Sequence, residues 1–328
     1  MKLEGRIQMN FADCDLDKIV ERNHPLRKIR NLISFKSLVY RVRDCASELG
    51  RQGYGLEVAL KCLFLQFYYD LSDRQLEERI KDSLAIRWFC DFEITTPTPD
   101  HSYFGRMRKL IGTENIGKIF RLINRKAKAA GMVGGVFNFV DASTIKTKET
   151  TWTERDKALK EGEDNINNKN IGNYSADKDA RFGCKGKNKF WFGFKRNLCA
   201  DMRQGIIIKL AVTPANVPDQ EAFRHICPEG GMVIGDKAYA LKPAQEIMKI
   251  KGCHSGAILR NNMINKNKDK DRWLSKVRAP FENVFSKDEK RARYRGLAKV
   301  QMQGFLEAIV HNVKRLVAIN CKPLFCEA

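Results

Sequence analysis

Asp141, Asp236 and Glu282 are the side chains of this sequence that could do chemistry together. Asp141 follows the apolar run of VFNFVDAS, and Asp236 follows that of MVIGD. A short run rich in Val, Ile and Phe reads as a buried strand. Each aspartate is therefore expected at the end of a strand, and on neighbouring strands the two carboxylates would face one edge of the sheet. Glu282 lies in VRAPFENVFSKDEK, where Val277, Phe281, Val284 and Phe285 make the inner face of an expected helix. Asp141 alone reads more readily as a strand cap or the start of a turn, so the argument rests on the three together. Three crowded carboxylates repel and need cations. An oxygen-only donor set suits Mg2+ or Mn2+ and argues against zinc. Two such ions about 4 Å apart would activate water or a 3′-hydroxyl and stabilise the leaving oxygen of an in-line displacement at a phosphodiester.

Asp288 and Glu289 compete for the third position; Glu289 lies two helical turns beyond Glu282. They sit in a charged run that reads as solvated, whereas Glu282 has Arg278, Phe281 and Phe285 around it. Arg278, Lys287, Lys290, Arg291, Arg293 and Arg295 form a basic belt along the same segment. Any one of them reads as a solvated charge; as a group beside a metal site they suit a nucleic-acid backbone. Lys237, directly after Asp236, could touch a phosphate. The five histidines show no ligand or triad spacing and read as structural.

The elements that must hold these groups divide into two regions. Residues 1–131 read as helical. Tyr54 to Tyr69 is strongly apolar, and Ser72 with Gln75 predicts a capping box for the next helix. That helical pair resembles a helix-turn-helix, which would place Arg74, Glu78 or Arg79 against DNA, although plain bundle packing accounts for it more readily. A basic helix is expected over Asp100–Leu110, and another over Thr113–Ala130 that ends at Gly131. Residues 132–328 read as α/β, with a polar excursion at about 144–188 whose Trp152 and Trp191 are expected to pack rather than stack on bases. Strands are expected over Lys189–Cys199, Gly205–Thr213, Met232–Gly235 and Ser255–Leu259. Helices are expected over Pro243–Lys251, over Trp273 to about Arg293 with a break at Pro280, and over Leu297–Ile319. A solvated loop is expected at 261–272.

The chain has 328 residues and a formal net charge of +21, from 60 Lys and Arg against 39 Asp and Glu. Such a surface favours polyanions. No apolar run approaches the roughly 20 residues that span a bilayer, and the first residues do not form a signal peptide. The ten cysteines form no zinc-spaced cluster and suit reduced thiols. A cytoplasmic, DNA-accessible location is expected, with no membrane partner.

From YGLEVALKCLFLQFYYDLSDRQLEERI through VDAST, TPANVPDQEAF and IGDKAY to the block from Arg278 through RYRG to HNVKRL, most of the chain resembles the DDE transposases of bacterial insertion sequences, of the insertion-sequence-five family. The resemblance implies an RNase H-like catalytic domain, a mixed sheet flanked by helices, behind an N-terminal all-helical DNA-binding region. It implies Asp141, Asp236 and Glu282 as metal-binding catalytic acids. It also implies double-stranded DNA as partner (terminal inverted repeats and target) and a homodimer or larger assembly on that DNA. The related signature Tyr-x2-Arg-x3-Glu-x6-Lys is met only at Arg278 and Glu282; Ser275 replaces the Tyr, and Glu289, followed by Lys290, replaces the Lys. A catalytically inactive DNA-binding derivative and an RNase H-like nuclease without strand transfer stay open as alternatives.

Overall fold

The structure, a computed structural model, describes residues 15–40, 42, 53–147, 157, 159–162, 165–186, 189–260, 263, 266–286 and 291–325; for 282–286 it describes the backbone alone. Two compact units result, Met1–Ile119 with Val317–Ala328, and Phe120–Leu316.

The first unit is helical among its described residues. Its central helix, Gly55–Tyr68, is apolar on most sides because it is covered on most sides: Leu60, Cys62, Leu63 and Leu65 are buried, and so are Lys61 and Gln66. Phe35 packs edge-on against Phe64 and Phe89, with centroids 5.7 and 5.5 Å away. The buried Lys61 ammonium is paired with Glu57 at 2.9 Å and with Asp91. The predicted capping box forms, with Ser72 Oγ accepting from Gln75 N and Gln75 Oε1 accepting from Ser72 N. Asp73 in the same helix takes a two-pronged grip from Arg108 at 2.8 and 2.5 Å. The helix His101–Ala129 is kinked at Gly112, where φ is 73° and ψ is 163°. Only glycine adopts that conformation at low cost, which explains why its two halves carry separate apolar patterns.

The second unit is built on a six-stranded mixed sheet: β1 (Phe137–Lys146), β2 (Arg181–Lys185), β3 (Lys189–Asp201), β4 (Ile206–Pro214), β5 (Gly231–Gly235) and β6 (Cys253–Ala257). The order is β2-β3-β1-β5-β6, with β4 also paired to β3. β1 runs antiparallel to β3 and parallel to β5, and β5 parallel to β6. Alternation along β1 and β5 sends Val140 and Val233 to one face, with Phe223, Tyr239, Ala244 and Met248 of the helices Asp219–Ile226 and Lys242–Ile250. It sends Phe139 and Ile234 to the other face, where Ile234 meets Leu274 and Val277 of the helix Lys268–Ser286. The helix Leu297–Ala318 lies against β4, so close at Gly304 that an added Cβ would stand 3.1 Å from Leu210 Cδ2. The α/β class and the flanked mixed sheet expected from the sequence are present.

Four expectations change. β1 does not end at Asp141: β3 continues beside it to Lys146, so the antiparallel ladder carries the strand five residues further. The polar excursion contains β2, which pairs with the outer edge of β3. The loop 261–272 gives way to helix at Lys268, because Asn267 Oδ1 accepts from Asp269 N and Lys270 N and so caps the first turn. That helix continues through Pro280 and is described as far as Ser286; Arg291 to Arg293, included in the expected helix, are not helical. Trp191 is buried, its Nε1 donating to Phe194 O at 3.3 Å, as packing requires; Trp152 lies outside the described residues.

Candidate active site

The site begins where two neighbouring strands stop pairing. The last β1–β5 pair is Phe139 with Ile234, whereas β1 stays paired with β3 through Asp141, opposite Leu198, and beyond. Asp141 is thus held by the sheet on its β3 side and free of a strand partner on its β5 side. Asp236 immediately follows the end of β5. By alternation both aspartates continue the face of Phe139 and Ile234, the face that the helix Lys268–Ser286 covers.

The two carboxylates are near enough to act on each other electrostatically. The Asp141 carboxyl is pushed up to about 6, first by burial and then by the negative charge of Asp236. Its own hydrogen bond from Ala142 N at 2.9 Å, and the positive charges of Arg278 and Lys185, pull the other way without cancelling the rise. Asp236 closes a turn, with Oδ1 accepting from Ala238 N at 2.9 Å. Arg278 lies with its guanidinium carbon 5.6 Å from the centre of the Phe139 ring, a cation–π arrangement worth about 0.5–1 kcal/mol that anchors a positive charge beside the acids. Phe281 approaches the same ring at 6.3 Å. Phe139 was not singled out from the sequence. Its position two residues before Asp141 in a strand was the available signal, since i and i+2 share a face.

Glu282 sits on the helix one turn beyond Arg278, on the stripe that carries Leu274 and Arg278. Its side chain lies outside the described residues, as do Lys287, Lys290 and the competitors Asp288 and Glu289. Among the described residues no three of His, Cys, Asp and Glu are grouped as a metal cage. Arg291 forms a parallel bridge with Lys146, and Ala292 N donates to Lys146 O at 2.7 Å, so the chain after the helix returns to the far end of β1. Gln303 holds that return by accepting from Arg293 N and donating to Arg291 O. Arg291, Arg295 and Lys237 are exposed, and Arg293 is half-buried.

A half-buried carboxyl that keeps its proton to about pH 6 beside a second carboxylate is short of positive charge. Hard oxygen donors with that deficit fit a divalent cation of the Mg2+ type.

The transposase DDE domain family model matches residues 134–313, more than half of the chain. This chain belongs to the DDE transposase family. A second transposase domain model, DUF772, matches residues 14–110 of this transposase. Among solved structures it is similar to the piggyBac transposase in a synaptic complex with hairpin DNA, at 9% identity over 92% of this chain and 77% of that one, TM-score 0.42. It is also similar to the Mos1 transposase in a paired-end complex with the left transposon end, at 8% identity over 85% and 83%, TM-score 0.19. Among the described residues of this transposase no helix is long and apolar enough to cross a membrane.

Proposed function

We propose that this transposase cuts phosphodiester bonds at the ends of its element and joins the freed 3′-hydroxyl to target DNA, with Asp141, Asp236 and Glu282 as its acids. The observation that carries the reading is the Asp141–Asp236 pair on one sheet face, at the point where β1 and β5 part, with Asp141 buried enough to hold its proton to about pH 6.

Asp141 and Asp236 are the residues to hold Mg2+ or Mn2+, with Glu282 as the third donor. When bound there, one or two such ions supply Lewis-acid polarisation of the attacking and leaving oxygens. The protein's own part is positional. The β1–β3 ladder fixes Asp141 against movement along the strand. The turn at Ala238 fixes Asp236, and the Phe139 ring keeps Arg278 where it can balance charge near a scissile phosphate. Lys237, Arg291, Arg293 and Arg295, with Lys287 and Lys290 of the same belt, take neighbouring phosphates. Residues 1–131 serve as the end-binding and dimerisation region, and 132–328 as the catalytic domain. Cutting and joining at two ends calls for at least two copies on the DNA.

The test is a cleavage and strand-transfer assay on DNA carrying the element's own terminal repeats, with Mg2+ or Mn2+. Wild type runs beside Asp141→Ala, Asp236→Ala and Glu282→Ala. Cutting and joining by wild type, with three variants that bind DNA and do neither, supports the reading. Binding without cutting by wild type overturns it in favour of a DNA-binding derivative. Cutting without joining favours a nuclease. A fully active Glu282→Ala moves the third acid to Asp288 or Glu289.

A further inference from the structure

Between Glu114 and Asp141 the chain carries five cations, Lys118, Arg121, Arg125, Lys126 and Lys128, and no acid. From Phe120 on, the helix His101–Ala129 belongs to the sheet unit, and that part holds four of the five. Its inner face is fixed there. Phe120, Ile123 and Ala127 are buried, and Phe120 meets Phe305 with ring centroids 5.5 Å apart. Asn124 Nδ2 donates to Ile207 O at 3.0 Å and to Ile208 O at 3.2 Å, while Asn124 Oδ1 accepts from Asn312 Nδ2 at 2.9 Å. The helix is held in this way along β4, whose second side has no strand partner among the described residues.

The outer face is a stripe of positive charge. With 3.6 residues per turn, Arg121, Arg125 and Lys128 fall within about 60° of one another around the helix. All three are exposed, and none has a hydrogen-bond or ion-pair partner among the described residues. The elements packed against this helix do not neutralise them. β4 has no acid, and the helix Leu297–Ala318 has one, Glu307, which is paired with the buried Arg196. A helix C-terminus draws cations to its last turn, which accounts for Lys126 and Lys128. It does not account for Arg121, more than two turns from the end, where it and Arg125 repel as like charges at i and i+4. A self-repelling stripe of this kind suits a polyanion.

The stripe spans about 10 Å along the helix axis, and the phosphates of one DNA strand rise about 3.4 Å each, so its length matches about three of them. The row Asp141, Leu198 and Leu210 crosses β1, β3 and β4 on one face of the sheet. Gly304 packs on Leu210. The helix Leu297–Ala318, and the Phe120 segment beside it, therefore border the acids' face at its β4 end. Strands about 4.8 Å apart and a helix about 10 Å beyond the last of them put the stripe roughly 20 Å from Asp141. That is too far to touch the phosphate being cut, and it equals about six base pairs of duplex.

Resting on the transposase reading above, we propose that Arg121, Arg125 and Lys128 hold the backbone of the duplex being cut, at about three phosphates roughly six base pairs from the cut. The contact is to phosphates alone. It is blind to sequence and adds to the grip of the residues near the acids.

The test uses the full chain and duplexes of the element's terminal repeat in which a methylphosphonate removes the charge of one phosphate at a time, with Ca2+ in place of Mg2+. Wild type is expected to lose affinity at two separate groups of phosphates, one at the cut and one about six base pairs away. Arg121→Gln with Arg125→Gln and Lys128→Gln is expected to bind about 30-fold more weakly at about 0.1 M salt, to lose about three phosphate contacts from the salt dependence, and to stay sensitive only at the cut. The loss should be equal on the terminal repeat and on an unrelated duplex. Arg121→Lys with Arg125→Lys and Lys128→Arg keeps the charge and is expected to bind as wild type does. All three side chains are exposed, so thermal melts of both variants should match wild type. If wild type shows a single group of phosphates at the cut, or the Gln variant binds as wild type, or the charge-keeping variant binds as weakly as the Gln variant, the surface is overturned and the DDE chemistry stands. If the Gln variant changes the oligomeric state without DNA and keeps its DNA affinity, the stripe is a protein contact and the proposal is likewise overturned. If wild type does not bind the terminal repeat, the transposase reading falls with it.

Discussion

Glu77 of the helical unit and Asp141 of the sheet unit are both carboxyls set among polar groups, yet their proton affinities move in opposite directions. Glu77 accepts from Lys81 Nζ at 2.6 Å and from His101 N at 2.8 Å, and the His101 ring lies 2.9 Å away. These hydrogen bonds, that from Lys81 first, draw its pKa down to about 2. Asp141 has one neighbouring N–H, a second carboxylate nearby and a half-buried setting, and it rises to about 6. Asp73 and Asp17 follow the Glu77 pattern in their contacts: Arg108 grips the first, and Arg27 with Trp88 Nε1 the second. In the helical unit carboxylates hold elements together. In the sheet unit one is held in place by the backbone and left short of positive charge, which is the condition for taking up a cation.

The sharpest way to break this contrast is through activity. Asp236→Asn is expected to lower DNA cutting by about a thousand-fold or more, while Glu77→Gln leaves the cutting step of the bound complex unchanged. Equal losses in a single-turnover assay would end the distinction.

Next in size is stability in the helical unit. Arg108→Ala leaves the half-buried Asp73 without its two-pronged partner and is expected to cost about 2–3 kcal/mol, read from chemical denaturation.

Asp141→Asn should act in the opposite sense. Because folded Asp141 binds its proton more tightly than the unfolded chain does, stability falls as pH rises from about 4 to about 6, and the full cost remains above that. A shift of this size corresponds to an upper value of about 3 kcal/mol, reduced to about 1–2 kcal/mol for partial exposure. Metal-free Asp141→Asn should therefore melt above wild type at pH 8 and level with it at pH 4. Mg2+ or Mn2+ should raise the melting temperature of wild type more than that of the variant. For Glu77→Gln the pH order reverses. Its depressed pKa stabilises the fold above about pH 4.5, and the contribution is lost as pH falls toward 2. Melts of both variants across pH 2–8 decide between the two patterns. The smallest effect expected is that of Ser72→Ala, which removes one half of the capping box for about 1 kcal/mol.

Much of this arrangement was legible in the residues. The apolar runs before Asp141 and Asp236 marked adjacent strands, and Ser72 with Gln75 marked a helix start. Ile116, Ile119, Phe120 and Ile123 marked a buried helix face, and all four are buried. Local patterns of this kind are written at short range. The extension of β1 was not legible, because Ala142 and Ser143 are not strongly strand-forming and, with Thr144, are held by pairing with Asn197, Arg196 and Lys195, far away in the chain. β2 was hidden for the same reason: RFGCK has little alternation, and its place depends on Gly183 fitting beneath Trp191. The start of the helix at Lys268 was signalled by Asn267 followed by two acids, but the density of charge read as loop.

By itself the sequence determined which groups are available: a strongly basic chain, two aspartates each following an apolar run, and an acid on an apolar-faced helix. The side-chain period of two in a strand and of 3.6 in a helix make such assignments local. Only the tertiary structure decided that the β1–β5 pairing ends two residues before Asp141, that Asp236 adds its charge there, and that Arg278 rests on the Phe139 ring. Proton affinity and charge balance depend on burial and on distances across the sheet, and both arise only when strands far apart in the chain are brought side by side.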